Sequence, residues 1–116
     1  MTAPSLKDRL RAARPDAAEA LDRNHAKAEI ARALRSLRKA RGLTQKDVEA
    51  GSGLHQTVIS RLEAPTGPLP SFDTVRRYVS ACEGRMVMGF TLDGSPEAAL
   101  RKAVSGSGPL VAALAI

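Results

Sequence analysis

The stretch Arg38-Lys39-Ala40-Arg41-Gly42-Leu43-Thr44-Gln45-Lys46-Asp47-Val48-Glu49-Ala50-Gly51-Ser52-Gly53-Leu54-His55-Gln56-Thr57-Val58-Ile59-Ser60-Arg61-Leu62-Glu63 decides the fold. Gly42 is a natural C′ stop for a preceding helix. Thr44 and Asp47 form a Thr-x-x-Asp start in which the hydroxyl meets the amide three residues on and an acid sits in the first turn. Gly51-Ser52-Gly53 ends this short helix within about two turns and forces a corner. A further helix is expected from about His55 to Ala64, with Val58, Ile59 and Leu62 inward and Gln56, Thr57, Ser60 and Arg61 outward. Two short helices around a tight corner are the arithmetic of a helix-turn-helix.

Upstream, Ile30, Leu34 and Leu37 recur at helical spacing and predict a strong helix from Lys27 to Arg41. Ser5 caps a short helix to about residue 13, Pro15 interrupts it, and helical text resumes at Asp16. Asn24-His25 is compatible with a break or with continuation. Downstream, residues 65–70 form a proline-rich loop, and Ser71 caps a helix to about Cys82 that buries Phe72, Val75, Tyr78 and Val79, with Gly84 as its stop. The alternation of Met86, Met88, Phe90 and Leu92 predicts a strand over 85–92. Ser95-Pro96-Glu97 opens a short helix to about Val104, residues 105–109 read as a joint, and 110–116 as an apolar tail.

The chain has 116 residues, 43% of them apolar, enough for one core. No apolar run approaches the roughly 20 residues of a membrane span, and no secretory signal is visible at the N-terminus. The single cysteine, Cys82, excludes a disulfide framework and reads as an inert core thiol, so a cytoplasmic location is expected. Paired carboxylates, metal-spaced histidines and phosphate-cradling loops are missing from the text; no enzyme activity, metal or cofactor is expected. The net charge of +6 resides in residues 1–43, which carry eleven Lys and Arg against five Asp and Glu. Such a patch points to an anionic partner, and three aromatic residues give no stacking platform for single strands, which leaves duplex DNA. On this basis Gln56, Thr57, Ser60 and Arg61 are candidate readers of base edges. Arg35, Lys39, Thr44, Lys46 and His55 are candidate phosphate contacts, His55 serving equally well as an N-cap.

The phrases Leu34-Arg35-Ser36-Leu37-Arg38, Gly42-Leu43-Thr44-Gln45, Gly53-Leu54-His55-Gln56, Ile59-Ser60-Arg61-Leu62-Glu63 and Pro70-Ser71-Phe72 together resemble the helix-turn-helix regulators typified by Cro and the phage cI repressors, the XRE type. The resemblance covers about residues 30–84. It implies an all-α, lambda-repressor-like bundle of about five helices, dimeric on a palindromic operator. It places Gln45 at a phosphate, Gln56, Thr57 and Arg61 at bases, and Arg38 and Glu63 in a structural ion pair. Glu49 stands where the family has a small alanine and Ser52 where it has an apolar residue, two departures that bear on how the helices cross. The helix from Ser71 and the alternating segment after it are also similar to HigA-type antitoxins, which implies a RelE-like ribonuclease toxin as an alternative partner.

A lone strand leaves its backbone groups unpaired, so 85–92 needs a partner. The tail at 110–116 and the same strand of a second subunit are the two candidates, and the second makes an isologous homodimer through Met86, Met88, Phe90 and Leu92. The expected organisation is an N-terminal helical extension (1–26), a DNA-binding domain (27–84) and a C-terminal dimerisation segment (85–116).

Overall fold

The computed structural model describes residues 5–92 and 94–103, and every regular element among them is helical. They are α1 (Leu6–Ala13), α2 (Pro15–Ala40), α3 (Gln45–Ser52), α4 (Gln56–Leu62), α5 (Phe72–Ala81) and α6 (Pro96–Ala103). As expected, α1 stops at Ala13, just before Arg14-Pro15, and Pro15 itself stands at the first position of the next helix. At the first helical position its missing N–H is one that no helix would use, so α2 runs from it through Asn24 and His25 without interruption.

Local chemistry explains each boundary. The Ser5 hydroxyl caps α1 through the Asp8 amide at 3.1 Å. Thr44 and Asp47 make a complete capping box at the start of α3, with the Asp47 amide on Thr44 Oγ1 at 3.1 Å and the Thr44 amide on the Asp47 carboxylate at 2.8 Å. Gly53 ends α3 at φ +72°, a conformation glycine adopts without penalty, and here a side chain would also press on the Arg77 guanidinium. Ser71 caps α5 through the Thr74 amide.

The end of α5 departs from expectation. The residue in the left-handed conformation is Glu83, at φ +55°, and not Gly84. The Glu83 amide bonds to Ser80 O and the Gly84 amide to Val79 O, the paired bonds of a Schellman ending. Gly84 is small for a different reason: a Cβ there would sit 3.2 Å from the Leu37 methyls.

Leu34, Val48, Leu54, Ile59, Leu62, Tyr78, Val79 and Cys82 form the core, with Ile30, Leu37, Leu43, Val58, Val75 and Met86 packed against it. α1 packs on α2, α3 on α4 and α5, and α2 on α4 and α5. Phe72, expected inside, is more than half exposed on the first turn of α5. Ser52 keeps the α3–α4 corner closed by polar means, its hydroxyl accepting the Leu54 amide at 3.1 Å. With Glu49 half-buried beside it, the helix pair still packs.

The predicted strand is not formed. Residues 85–91 have no regular structure, and no strand exists among the described residues. Only Met86 reaches the core; Met88 is exposed, and Phe90 and Leu92 are 95% and 102% accessible. Alternation describes which side chains share a face. It does not supply the second strand that must pair the backbone. The proposed joint and apolar tail, at 105–109 and 110–116, lie outside the described residues.

Glu83 in a left-handed conformation is strained relative to glycine. Glu83→Gly is expected to raise the unfolding free energy by about 0.5–1 kcal/mol in a denaturant titration, after the extra unfolded-chain entropy of glycine is allowed for.

Candidate nucleic-acid interface

The geometry of α4 is set from its C-terminal end. Glu63, its C-cap, is buried, and its carboxylate receives donors from three other helices. Arg38 of α2 binds it in a fork, Nε to Oε2 at 2.9 Å and Nη2 to Oε1 at 2.8 Å. Gln45 of α3 donates its amide to Oε1 at 3.3 Å, and the hydroxyl of fully buried Tyr78 of α5 donates to Oε2 at 2.7 Å. Burial alone would raise the Glu63 carboxyl's pKa. The hydrogen bonds from Arg38, Tyr78 and Gln45 and the Arg38 charge outweigh it and hold the group below its ordinary range. Arg38 is raised in turn, chiefly by its bond to Glu63, and the Tyr78 phenol is pushed far up by burial and then by the same carboxylate.

The carbonyls at this end of α4 have cationic partners as well. Lys27, only 2% exposed, donates its ammonium to Arg61 O at 2.8 Å and to Ala64 O. Arg35 donates to Glu63 O. The last carbonyls of a helix lack intrahelical donors and carry the negative end of its dipole, so cations are stabilising there. Burial, followed by the neighbouring Arg35 charge, lowers the Lys27 pKa.

At the other end, His55 is the N-cap, its Nδ1 accepting the Thr57 amide at 3.1 Å. That bond leaves Nε2 as the ring's free donor on an exposed side chain, so capping and an outward contact are compatible. Gln56 donates to Gln45 Oε1 at 2.9 Å, which ties the first residue of α4 to the first residue of α3. A second, longer contact runs from Gln56 to Ser60 Oγ at 3.5 Å.

The outward set is therefore arranged as follows. Thr57, Ser60 and Arg61 are exposed along α4, and Gln56 is half-buried at its start. Lys39, Thr44 and Lys46 are exposed on α2 and around the start of α3. Gln45 is half-buried and joins Glu63 to Gln56. Arg35, placed among the outward phosphate contacts from sequence, is half-buried and turned onto α4. Met88, Phe90 and Leu92 are exposed and take no part in the core.

Sequence reasoning missed Lys27, the Tyr78 hydroxyl, Arg41 and Arg77. Arg41 donates to Cys82 O and Glu83 O beyond the end of α5, and Arg77 to Ser52 O at the end of α3. No periodicity marks these cations, because each partner is a backbone carbonyl 25 to 42 residues away. Among the described residues no group of three or more His, Cys, Asp or Glu is placed to hold a metal ion, and no helix is long and apolar enough to cross a membrane.

The Glu63 cluster makes stability depend on acid. The carboxyl titrates lower in the folded chain than its ordinary 4.5, so its stabilisation is complete above that value and is lost as pH falls through the lower folded value. Asp47 and Asp73 are shifted the same way by Thr44 and Arg76 and contribute to the same loss. Glu63→Gln is expected to cost about 3 kcal/mol near neutral pH, since Arg38 loses its counter-charge, and to flatten the acid limb of the stability profile. Equal acid limbs for both proteins in urea titrations would show that Glu63 is not a source of the linkage.

Residues 29–84 match the model of a family described as a helix-turn-helix domain. No curated protein and no solved structure matches the chain. The matched segment takes in the last twelve residues of α2 together with α3, the Gly53 corner, α4 and α5, so it is this segment that carries the helix-turn-helix domain, with α3 and α4 as the helix pair.

Proposed function

We propose that the chain is a sequence-specific double-stranded-DNA-binding transcriptional regulator, acting as a dimeric repressor on a palindromic operator. α4 lies in the major groove, Thr57, Ser60 and Arg61 face base edges, and Gln56 reaches an adenine or backbone at the groove's rim. Lys39, Thr44, Gln45, Lys46 and His55 contact phosphates and fix the register. One observation carries this reading. The Gln45–Gln56 hydrogen bond locks the starts of α3 and α4 together while the outer face of α4 stays open.

The test separates reading from holding. Arg61→Ala is expected to lose about 1–3 kcal/mol on the preferred duplex and to relax preference at one base position, whereas Lys39→Ala weakens all duplexes alike and lowers the salt slope. Equal losses for Arg61→Ala on preferred and random duplexes in anisotropy titrations would remove Arg61 from the base-reading set.

The uncovered Met88, Phe90 and Leu92 favour a protein partner. In the repressor reading that partner is a second copy of this chain. In the alternative, a HigA-type antitoxin, it is a RelE-like ribonuclease. The repressor reading expects the wild-type chain to sediment as a dimer and the Phe90→Asp, Leu92→Asp double variant as a monomer with unchanged helical circular dichroism. A monomeric wild type favours the antitoxin.

A further inference from the structure

We infer that Lys27 is a positioning residue for DNA recognition: its buried ammonium holds the backbone at the C-terminal end of α4, the end that carries Arg61. The inference rests on the proposed DNA-binding function and extends it to a residue outside the matched segment, which begins at residue 29.

Three observations carry it. The ammonium is almost wholly buried, yet its hydrogen-bond partners are backbone carbonyls. A buried cation is costly unless its donors are satisfied, so the site is built around those carbonyls. One carbonyl belongs to Arg61, whose side chain is the longest of the outward set on α4, and the other to Ala64, where the chain leaves the helix for the 65–70 loop. Lys27 thus fixes both the direction in which Arg61 leaves the helix and the exit of the following loop. Arg35 holds the carbonyl between them, on Glu63, so the last turn of α4 is gripped along one side of α2.

This grip acts on direction, not on charge presented to DNA. Lys27 is shielded from solvent and contributes no contact of its own to a phosphate. Its removal must therefore affect the preferred sequence more than duplexes in general. A lysine that merely stabilised the fold would leave that ratio unchanged once the variant is folded.

The experiment begins with selection of a preferred duplex from a random pool by the full wild-type chain. Binding of wild type, Lys27→Met and Lys27→Gln is then measured on the selected duplex and on a scrambled duplex of equal composition. The buffer contains enough excluded osmolyte to keep every variant's far-ultraviolet circular dichroism at the wild-type value. Lys27→Met is expected to lose about tenfold in affinity on the selected duplex and less than about twofold on the scrambled one, in line with the loss of hydrogen bonds from a charged donor. Lys27→Gln, which keeps an N–H donor without the charge, is expected to restore part of the ratio. A ratio unchanged in Lys27→Met, or equal losses on both duplexes, overturns the inference while leaving the DNA-binding function intact. Failure of the wild type to select any duplex overturns both.

Discussion

A single carboxylate holds the helix pair in register with the rest of the domain. Glu63 has two oxygens and accepts four hydrogen bonds, which reach it from α2, α3 and α5, while its own backbone closes α4. The apolar core is small, and apolar contacts tolerate a helix sliding or rolling by a fraction of a turn. A forked guanidinium, a phenol and an amide converging on one group do not. An ion pair of this kind is a weak source of net stability, because desolvation offsets much of the attraction. Its value lies in geometry: the chain of contacts runs on from Glu63 through Gln45 to Gln56, so the two ends of α4 are referred to the same point.

The positive charge that dominates the first 43 residues has two destinations, and charge counting does not separate them. Lys39 lies on the outside, with Lys46 beyond it at the start of α3. Lys27 and Arg35 turn inward onto the carbonyls that end α4, while the exposed Arg41 and Arg77 reach along the surface to the carbonyls that end α5 and α3. Short helices leave a large share of their carbonyls without intrahelical donors, and a domain assembled from helices of seven to ten residues must provide them from elsewhere. Long basic side chains reach far enough to do so. Part of what reads as a nucleic-acid footprint is therefore internal framework.

The sequence was legible where structure is decided by neighbours in the chain. Thr44 with Asp47, Ser71, Gly42 and the Gly53 corner act within four residues, and each stands where the text places it. Legibility failed where the deciding partner is remote. Residues 85–92 alternate as a strand should, but no strand forms among the described residues. Arg35 resembles any solvated arginine until α4 folds against α2. Phe72 has the right hydrophobicity for the core but sits on the first turn of α5, more than half exposed. Glu83 carries the conformation expected of Gly84, while Gly84 sits in close approach to Leu37, a remote partner that the local text does not mark.

The uninterrupted course of α2 has a mechanical consequence. At 1.5 Å per residue its 26 residues span about 39 Å, and from its midpoint onward it is riveted to α4 by Lys27, Arg35 and Arg38. It behaves as a strut, with its C-terminal part anchored in the bundle and α1 packed along it. A label or fused module attached near Pro15 would keep a constant separation and bearing from the α3–α4 corner, as a ruler does, instead of sampling the sphere that a flexible tether allows.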